Sequence, residues 1–232
     1  MNQEQDKKNL SENISQFFTK FKKPLLLVVG VFIVALVAIS IISALSASME
    51  KSALVQYDKI DSAYTAALKT QQTEEVLNNE QISAIITDID ALVQRYPKTV
   101  SALQALLLKA DYFIQKKDYE KALDAYLQII KVNSMHYIAD IARQNAAAMY
   151  EELGNIDKAI EVLEILDSNT KKDIFLSHNH VLFSLGRLYE QKQDFQKAVQ
   201  FYMQLIATGT NDDWTKLSQS RIIALKAEKK VP

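Results

Sequence analysis

The sequence predicts an all-α chain: one N-terminal transmembrane helix, then a solenoid of stacked helical hairpins ending in a C-terminal cap helix. Three observations carry this. Only 4 glycines and 3 prolines punctuate 232 residues, too few for the tight turns that a sheet protein needs. No charged residue falls between Pro24 and Leu45. Further along, one frame of an aromatic or aliphatic residue, an alanine and a large residue returns three times, with its alanines 37 and 39 residues apart.

The uncharged stretch comes first. Its residues, at 1.5 Å of rise each, reach about 33 Å as a helix, enough to cross the hydrocarbon core of a bilayer. Pro24 suits a first helical turn, where its missing N–H costs nothing. A cleaved signal peptide is the competing reading, because Ala44, Ser46, Ala47 and Ser48 are small enough for a cleavage site. Signal-peptide cores run only about 7–15 residues, so an uncleaved anchor is expected. Lys7, Lys8, Lys20, Lys22 and Lys23 precede the span, whereas the first basic residue after it, Lys51, adjoins Glu50. The positive-inside rule then keeps residues 1–23 in the cytosol, gives the membrane residues 24–46, and sends residues 47–232 across. Within the tail, Ser11 reads as an N-cap for a short helix carrying Ile14, Phe17, Phe18 and Phe21 on one side. Such a helix lies along a membrane surface; a plain basic spacer is the alternative.

Residues 47–232 carry 22 basic and 25 acidic side chains. This near balance gives no electrostatic reason to expect nucleic acid. With no cysteine, disulfides, thiolate zinc sites and cysteine nucleophiles are excluded.

In the soluble part, KKDYEKALDAYLQII returns as LGNIDKAIEVLEIL and as KQDFQKAVQFYMQLI. Tyr119, Ala122 and Tyr126 thus align with Ile156, Ala159 and Leu163, and with Phe195, Ala198 and Tyr202. Twelve residues before each alanine stands another small residue, Ala110, Ala147 or Gly186, and three after that an aromatic, Phe113, Tyr150 or Tyr189. Periods of this length mean stacked helical hairpins.

This pattern resembles the tetratricopeptide repeat family, whose motif Leu182, Leu185, Gly186, Tyr189, Ala198 and Tyr202 match closely. In that family the small residues of the two helices pack together, which explains a glycine in a helix interior despite its cost of roughly 1 kcal/mol. The earlier repeats depart from the motif: Lys109 replaces a leucine, and Arg143 and Ala146 replace large residues. The expected layout is a degenerate hairpin over 50–97, with Ile85, Ile89, Leu92 and Pro97 on frame. Repeats follow over about 103–134, 140–170 and 179–210, then a solvating cap helix over 212–230 in which Trp214 packs beneath the cap.

Nothing in the sequence argues for an enzyme, a cofactor or a metal. Glycine-rich phosphate loops, G-x-S-x-G and H-E-x-x-H are absent. His178 and His180 point to different sides of a helix and read as solvated helix-start residues. The acidic pair Asp212–Asp213 reads as N-cap or helix-face charge.

The family resemblance implies a protein-binding inner face lined by the first helix of each hairpin. On this frame it carries Leu107, Asp111, Ile114, Gln144, Glu151, His180, Phe183, Arg187 and Glu190, with Arg187 the leading polar anchor. That mixture suits an extended polypeptide or a partner helix. The whole layout also resembles the YfgM-like ancillary subunits of the SecYEG translocon. This second resemblance implies a single-pass protein of the bacterial inner membrane with a periplasmic domain, passing exported proteins to a membrane-anchored chaperone. Two alternatives stay open: a scaffold for another envelope assembly, in division or secretion, and a regulatory repeat module for a separate enzyme.

Overall fold

A computed structural model describes the backbone of residues 2–73, 79–134, 136–169 and 178–232, and the side chains of these except 2–22, 24–25, 69–73, 79 and 169. Regular structure among them is entirely α-helical: α1 (Asn2–Thr73), α2 (Asn79–Arg95), α3 (Val100–Gln115), α4 (Tyr119–Val132), α5 (Tyr137–Glu152), α6 (Ile156–Asn169), α7 (His178–Gln191), α8 (Phe195–Ile206) and α9 (Asp213–Ala227). The polar connection expected after the first soluble helix falls largely outside the described residues.

The chain divides into two compact units, Met1–Ser52 and Ala53–Pro232. In the first, the apolar part of α1 is long and apolar enough to cross a membrane, and its side chains are exposed, Val34 to 69%. Two local expectations are corrected here. Ser11 lies inside α1 instead of capping a helix, because residues 2–10 hold no glycine or proline to stop the helix upstream of it. Pro24 also lies inside α1 and not in a first turn. Its missing N–H removes one hydrogen bond, and the helix continues on both sides.

In the second unit α3–α4, α5–α6 and α7–α8 form hairpins, each packed on the next, and α9 packs on α8 and α7. The repeated small residues mark the crossings. Ala122, Ala159 and Ala198 are fully buried, as is Ala110. Around them close Leu103, Leu106 and Ile129 in one cluster, and Leu163, Leu166 and Leu185 in another; each fully buried side chain of this size contributes about 1.5–3 kcal/mol. Ile60 and Tyr64 of α1 meet Ile85, Ile89 and Leu92 of α2 in a third cluster, the apolar frame expected of the degenerate hairpin. Gly186 makes room for something other than the expected small partner. The space where its Cβ would stand is filled by the Tyr202 ring, one turn beyond Ala198 on α8.

The three hairpin turns share one backbone geometry. Asp118, Asn155 and Asp194 donate their N–H to Phe113, Tyr150 and Tyr189 at 2.9, 2.7 and 2.9 Å, while Lys117, Gly154 and Gln193 donate to Ile114, Glu151 and Glu190. These paired bonds are the Schellman helix ending, which requires a left-handed residue after the helix. Lys117, Gly154 and Gln193 supply it with φ of 56°, 74° and 62°. Asp118 and Asp194 then cap α4 and α8. One turn on, Lys121, Lys158 and Lys197 lie over Phe113, Tyr150 and Tyr189 at 5.2, 5.6 and 4.8 Å from the ring centroids.

The left-handed positions give a prediction with opposite signs. A non-glycine residue there costs about 1–2 kcal/mol, partly offset by the extra freedom glycine has when unfolded. Gln193→Gly is expected to stabilise by up to about 1 kcal/mol, and Gly154→Ala to destabilise by about as much. Urea titrations of both variants check this, and shifts of the same sign would refute the turn geometry as their cause.

Candidate protein-binding face

On α7, His180, Phe183, Arg187 and Glu190 recur at steps of three and four and so form one stripe. Gln144 and Glu151 do the same on α5. The two stripes meet. Arg187 donates through Nη1 and Nη2 to the two carboxylate oxygens of Glu151, the Nη2–Oε2 bond measuring 2.6 Å. Seven residues earlier on each helix, the Gln144 amide bonds Nδ1 of His180. Burial, and then the charge of Arg187, hold the His180 imidazole below its usual pKa, so the ring at this contact is neutral near pH 7.

The far side of the α7 stripe meets α9. Arg221 donates through Nε and Nη2 to Glu190, the Nε–Oε1 bond measuring 3.0 Å, and Tyr202 of α8 donates its hydroxyl to the same carboxylate at 2.6 Å. Burial pushes the Glu190 carboxyl up, but the bonds from Arg221 and Tyr202 outweigh it and hold the group below the ordinary range. The Trp214 ring stands 4.5 Å from His180 and 5.3 Å from Phe183. Asn179 fixes the start of α9, donating to Asp212 at 2.6 Å, while Asp212 caps the helix by accepting from Thr215 N–H.

Six of the nine expected face residues, Gln144, Glu151, His180, Phe183, Arg187 and Glu190, therefore belong to one connected surface over α5, α7 and α9. Arg187, expected as a partner's anchor, is engaged by Glu151. The other three lie on α3. Asp111 accepts from Gln115 at 3.1 Å and from the Tyr64 hydroxyl of α1 at 3.3 Å, whereas Leu107 and Ile114 are half-buried against the core.

The histidines are helix-start residues as expected, but His178 is not solvated and His180 is half-buried. His178 is buried, 3.7 Å from Asp167 of α6, where α7 packs against α6. Trp214, Arg221 and Tyr202 were not among the expected face residues. The seven-residue step from Trp214 to Arg221 was a readable signal, since it sets both on one side of α9.

These hairpins, with first helices bridged along one face, define a helical-repeat interaction protein. Residues 15–179 match a family model described as a tetratricopeptide repeat-like domain, and residues 181–213 match a tetratricopeptide repeat. The chain belongs to the tetratricopeptide repeat-like family, whose members are generally non-enzymatic protein-interaction modules. A TPR repeat-containing protein of Treponema pallidum (strain Nichols) is 30% identical over 116 residues, covering 50% of this chain and 47% of the relative. The chain thus spans about half the length of that relative. Among solved structures, a Podosopora anserina putative kinesin light chain with nearly identical TPR-like repeats superposes with a TM-score of 0.54 at 19% identity, covering 75% of this chain and 88% of that one. The apo form of RapI gives 0.55 at 15% identity, covering 70% and 46%. A tetratricopeptide repeat protein from Parabacteroides merdae gives 0.52 at 16%, covering 72% and 61%. At these identities the likeness concerns the fold alone.

Proposed function

We propose that this chain is a single-pass adaptor of the bacterial inner membrane whose periplasmic repeat domain binds protein partners on the α5–α7–α9 face. Its proposed division is a cytosolic tail, a membrane span and a repeat domain. The observation that carries the reading is the joining, in one chain, of an apolar helix long enough to span a membrane to a tetratricopeptide module. The five lysines ahead of the apolar stretch support a cytosolic N-terminus. The layout supports an ancillary place beside the SecYEG translocon, helping to pass exported proteins to a membrane-anchored chaperone.

Two measurements test this. The protein is expected to resist carbonate extraction, with residues 47–232 open to protease from the periplasmic side; a soluble mature fragment would instead support a cleaved signal. Affinity purification from gently solubilised membranes is expected to bring down translocon subunits and a periplasmic chaperone. Recovery of division proteins, a secretion apparatus or one enzyme in their place would overturn the translocon assignment. For the face itself, Phe183→Ala with Arg187→Gln is expected to release the partner while the protein stays helical. Gln196→Ala, exposed on α8, is the control.

A further inference from the structure

The outward side of α9 is open. Thr215, Ser218 and Leu225 are buried on the inward side, and Trp214 and Arg221 reach α7. Opposite them, at steps of three and four, stand Asp213, Leu217, Ser220, Ala224 and Ala227, with Lys216 and Ile223 alongside. Ile223 is 68% exposed, more than any other large apolar side chain described in Ala53–Pro232, and Leu217 is 45% exposed. A helix that only solvated the end of a repeat stack would carry polar side chains there. Ser220 makes little demand on water, because its hydroxyl donates to the Lys216 carbonyl of the same helix at 3.0 Å.

This side is complementary to itself when reversed. Counted from Ser220, Leu217 stands three residues before and Ile223 three after, Lys216 four before and Ala224 four after, Asp213 seven before and Ala227 seven after. In an antiparallel pair crossing at Ser220, each residue faces the one at the same distance on the other side. Leu217 then meets Ile223 and Ala224 of the second helix. The small Ser220, Ala224 and Ala227 let the two backbones approach closely. Charge is reversed from end to end as well. Asp212 and Asp213 open the helix, whereas Lys226, Lys229 and Lys230 outnumber Glu228 at its close. The Asp213 side chain is 93% exposed, and an antiparallel second copy brings its lysine end there. Opposed helix dipoles favour the same direction. Parallel pairing would instead set Asp213 against Asp213 and Lys226 against Lys226.

We infer that α9 docks on α9 of a second copy of this chain, antiparallel and crossing at Ser220, in a two-fold symmetric dimer. The side of α9 that meets α7 stays clear, so the dimer leaves the α5–α7–α9 face available. One helix on one helix buries less than the roughly 1,600 Å² of a standard interface, so pairing is weak in dilute solution. Its strength rests on the proposed anchoring, which holds copies in one membrane at high effective concentration; its geometry does not.

The test uses the full-length protein in its membrane. The chain has no cysteine, so a single introduced one reports its own surroundings. Under mild oxidation Ser220→Cys is expected to form a disulfide-linked dimer at least about tenfold more than Asp124→Cys, exposed on α4, the gain of a held contact over chance collision. Equal yields for the two, or none for Ser220→Cys, overturn the dimer. Direction is read by co-expressing Leu217→Cys and Ala224→Cys under different tags. The mixed dimer is expected to dominate, and dominance of the two self-linked dimers overturns the antiparallel pairing. Leu217→Glu with Ile223→Glu, added to Ser220→Cys, is expected to abolish the link while circular dichroism stays helical, since both side chains are exposed in the single chain. A link that survives this change is held by another part of the protein and sinks the inference. None of these outcomes touches the face reading, which Phe183→Ala with Arg187→Gln tests separately.

Discussion

Gly186→Ala is expected to destabilise the protein by about 1–2 kcal/mol, although alanine is the better helix former by roughly 1 kcal/mol. An added Cβ would stand 2.7 and 2.8 Å from Cδ1 and Cζ of Tyr202, and closer still to Cε1. That ring has little room to yield. It is fully buried, lies against Phe183, and is tethered by its hydroxyl to Glu190, which Arg221 holds in turn. Overpacking of this kind costs about 1–3 kcal/mol, enough to outweigh the propensity gain. The cause can be isolated. In a Tyr202→Leu background the obstruction is gone, and Gly186→Ala is expected to be neutral or to stabilise by up to about 1 kcal/mol. Urea unfolding of the four proteins measures the coupling. A higher melting temperature for Gly186→Ala alone would dismiss the ring contact as the reason for the glycine.

The repeat was legible because its signals are local. Ala122, Ala159 and Ala198, with the small residues twelve positions earlier, mark helix crossings whatever surrounds them. The partner of Gly186 was not legible, since spacing aligns small with small but does not say how far a tyrosine one turn on leans across the crossing. The same limit applies to the face. Steps of three and four put His180, Phe183, Arg187 and Glu190 on one side of α7. Nothing in that spacing shows that Glu151, 36 residues upstream, occupies the Arg187 guanidinium. The cap helix and the packing of Trp214 beneath it were legible, but the share of α9 in the face, through Arg221 and Glu190, was hidden for another reason. Its buried positions include the polar Thr215 and Ser218, so the helix lacks a plain apolar stripe and reads as a solvated cap. The lysines over Phe113, Tyr150 and Tyr189 were also legible in principle, since each follows its ring by eight residues.

Asp140→Ala is expected to cost about 3 kcal/mol, a large effect for a partly exposed side chain. Arg143 stands where the family places a large apolar residue, and its side chain is only 8% exposed. Its charge is matched by Asp140 at 2.7 Å and by the Ser134 carbonyl at 2.9 Å. Removing the carboxylate leaves a buried guanidinium with one neutral acceptor, and breaking a buried pair from one side typically costs about 3–5 kcal/mol. The reverse removal is milder. Arg143→Met keeps an unbranched chain in the core and takes the buried charge away. Asp140 is 29% exposed in the first turn of α5, where water and the helix dipole both favour a carboxylate. Ser134 is exposed, so its carbonyl can turn to water. Arg143→Met is therefore expected to cost less than Asp140→Ala by about 2 kcal/mol, and the double variant to be no worse than Asp140→Ala alone. Chemical denaturation of the three variants decides it: if Arg143→Met proves the more damaging single change, the arginine is held there by its hydrogen bonds and packing, and not merely tolerated because Asp140 neutralises it.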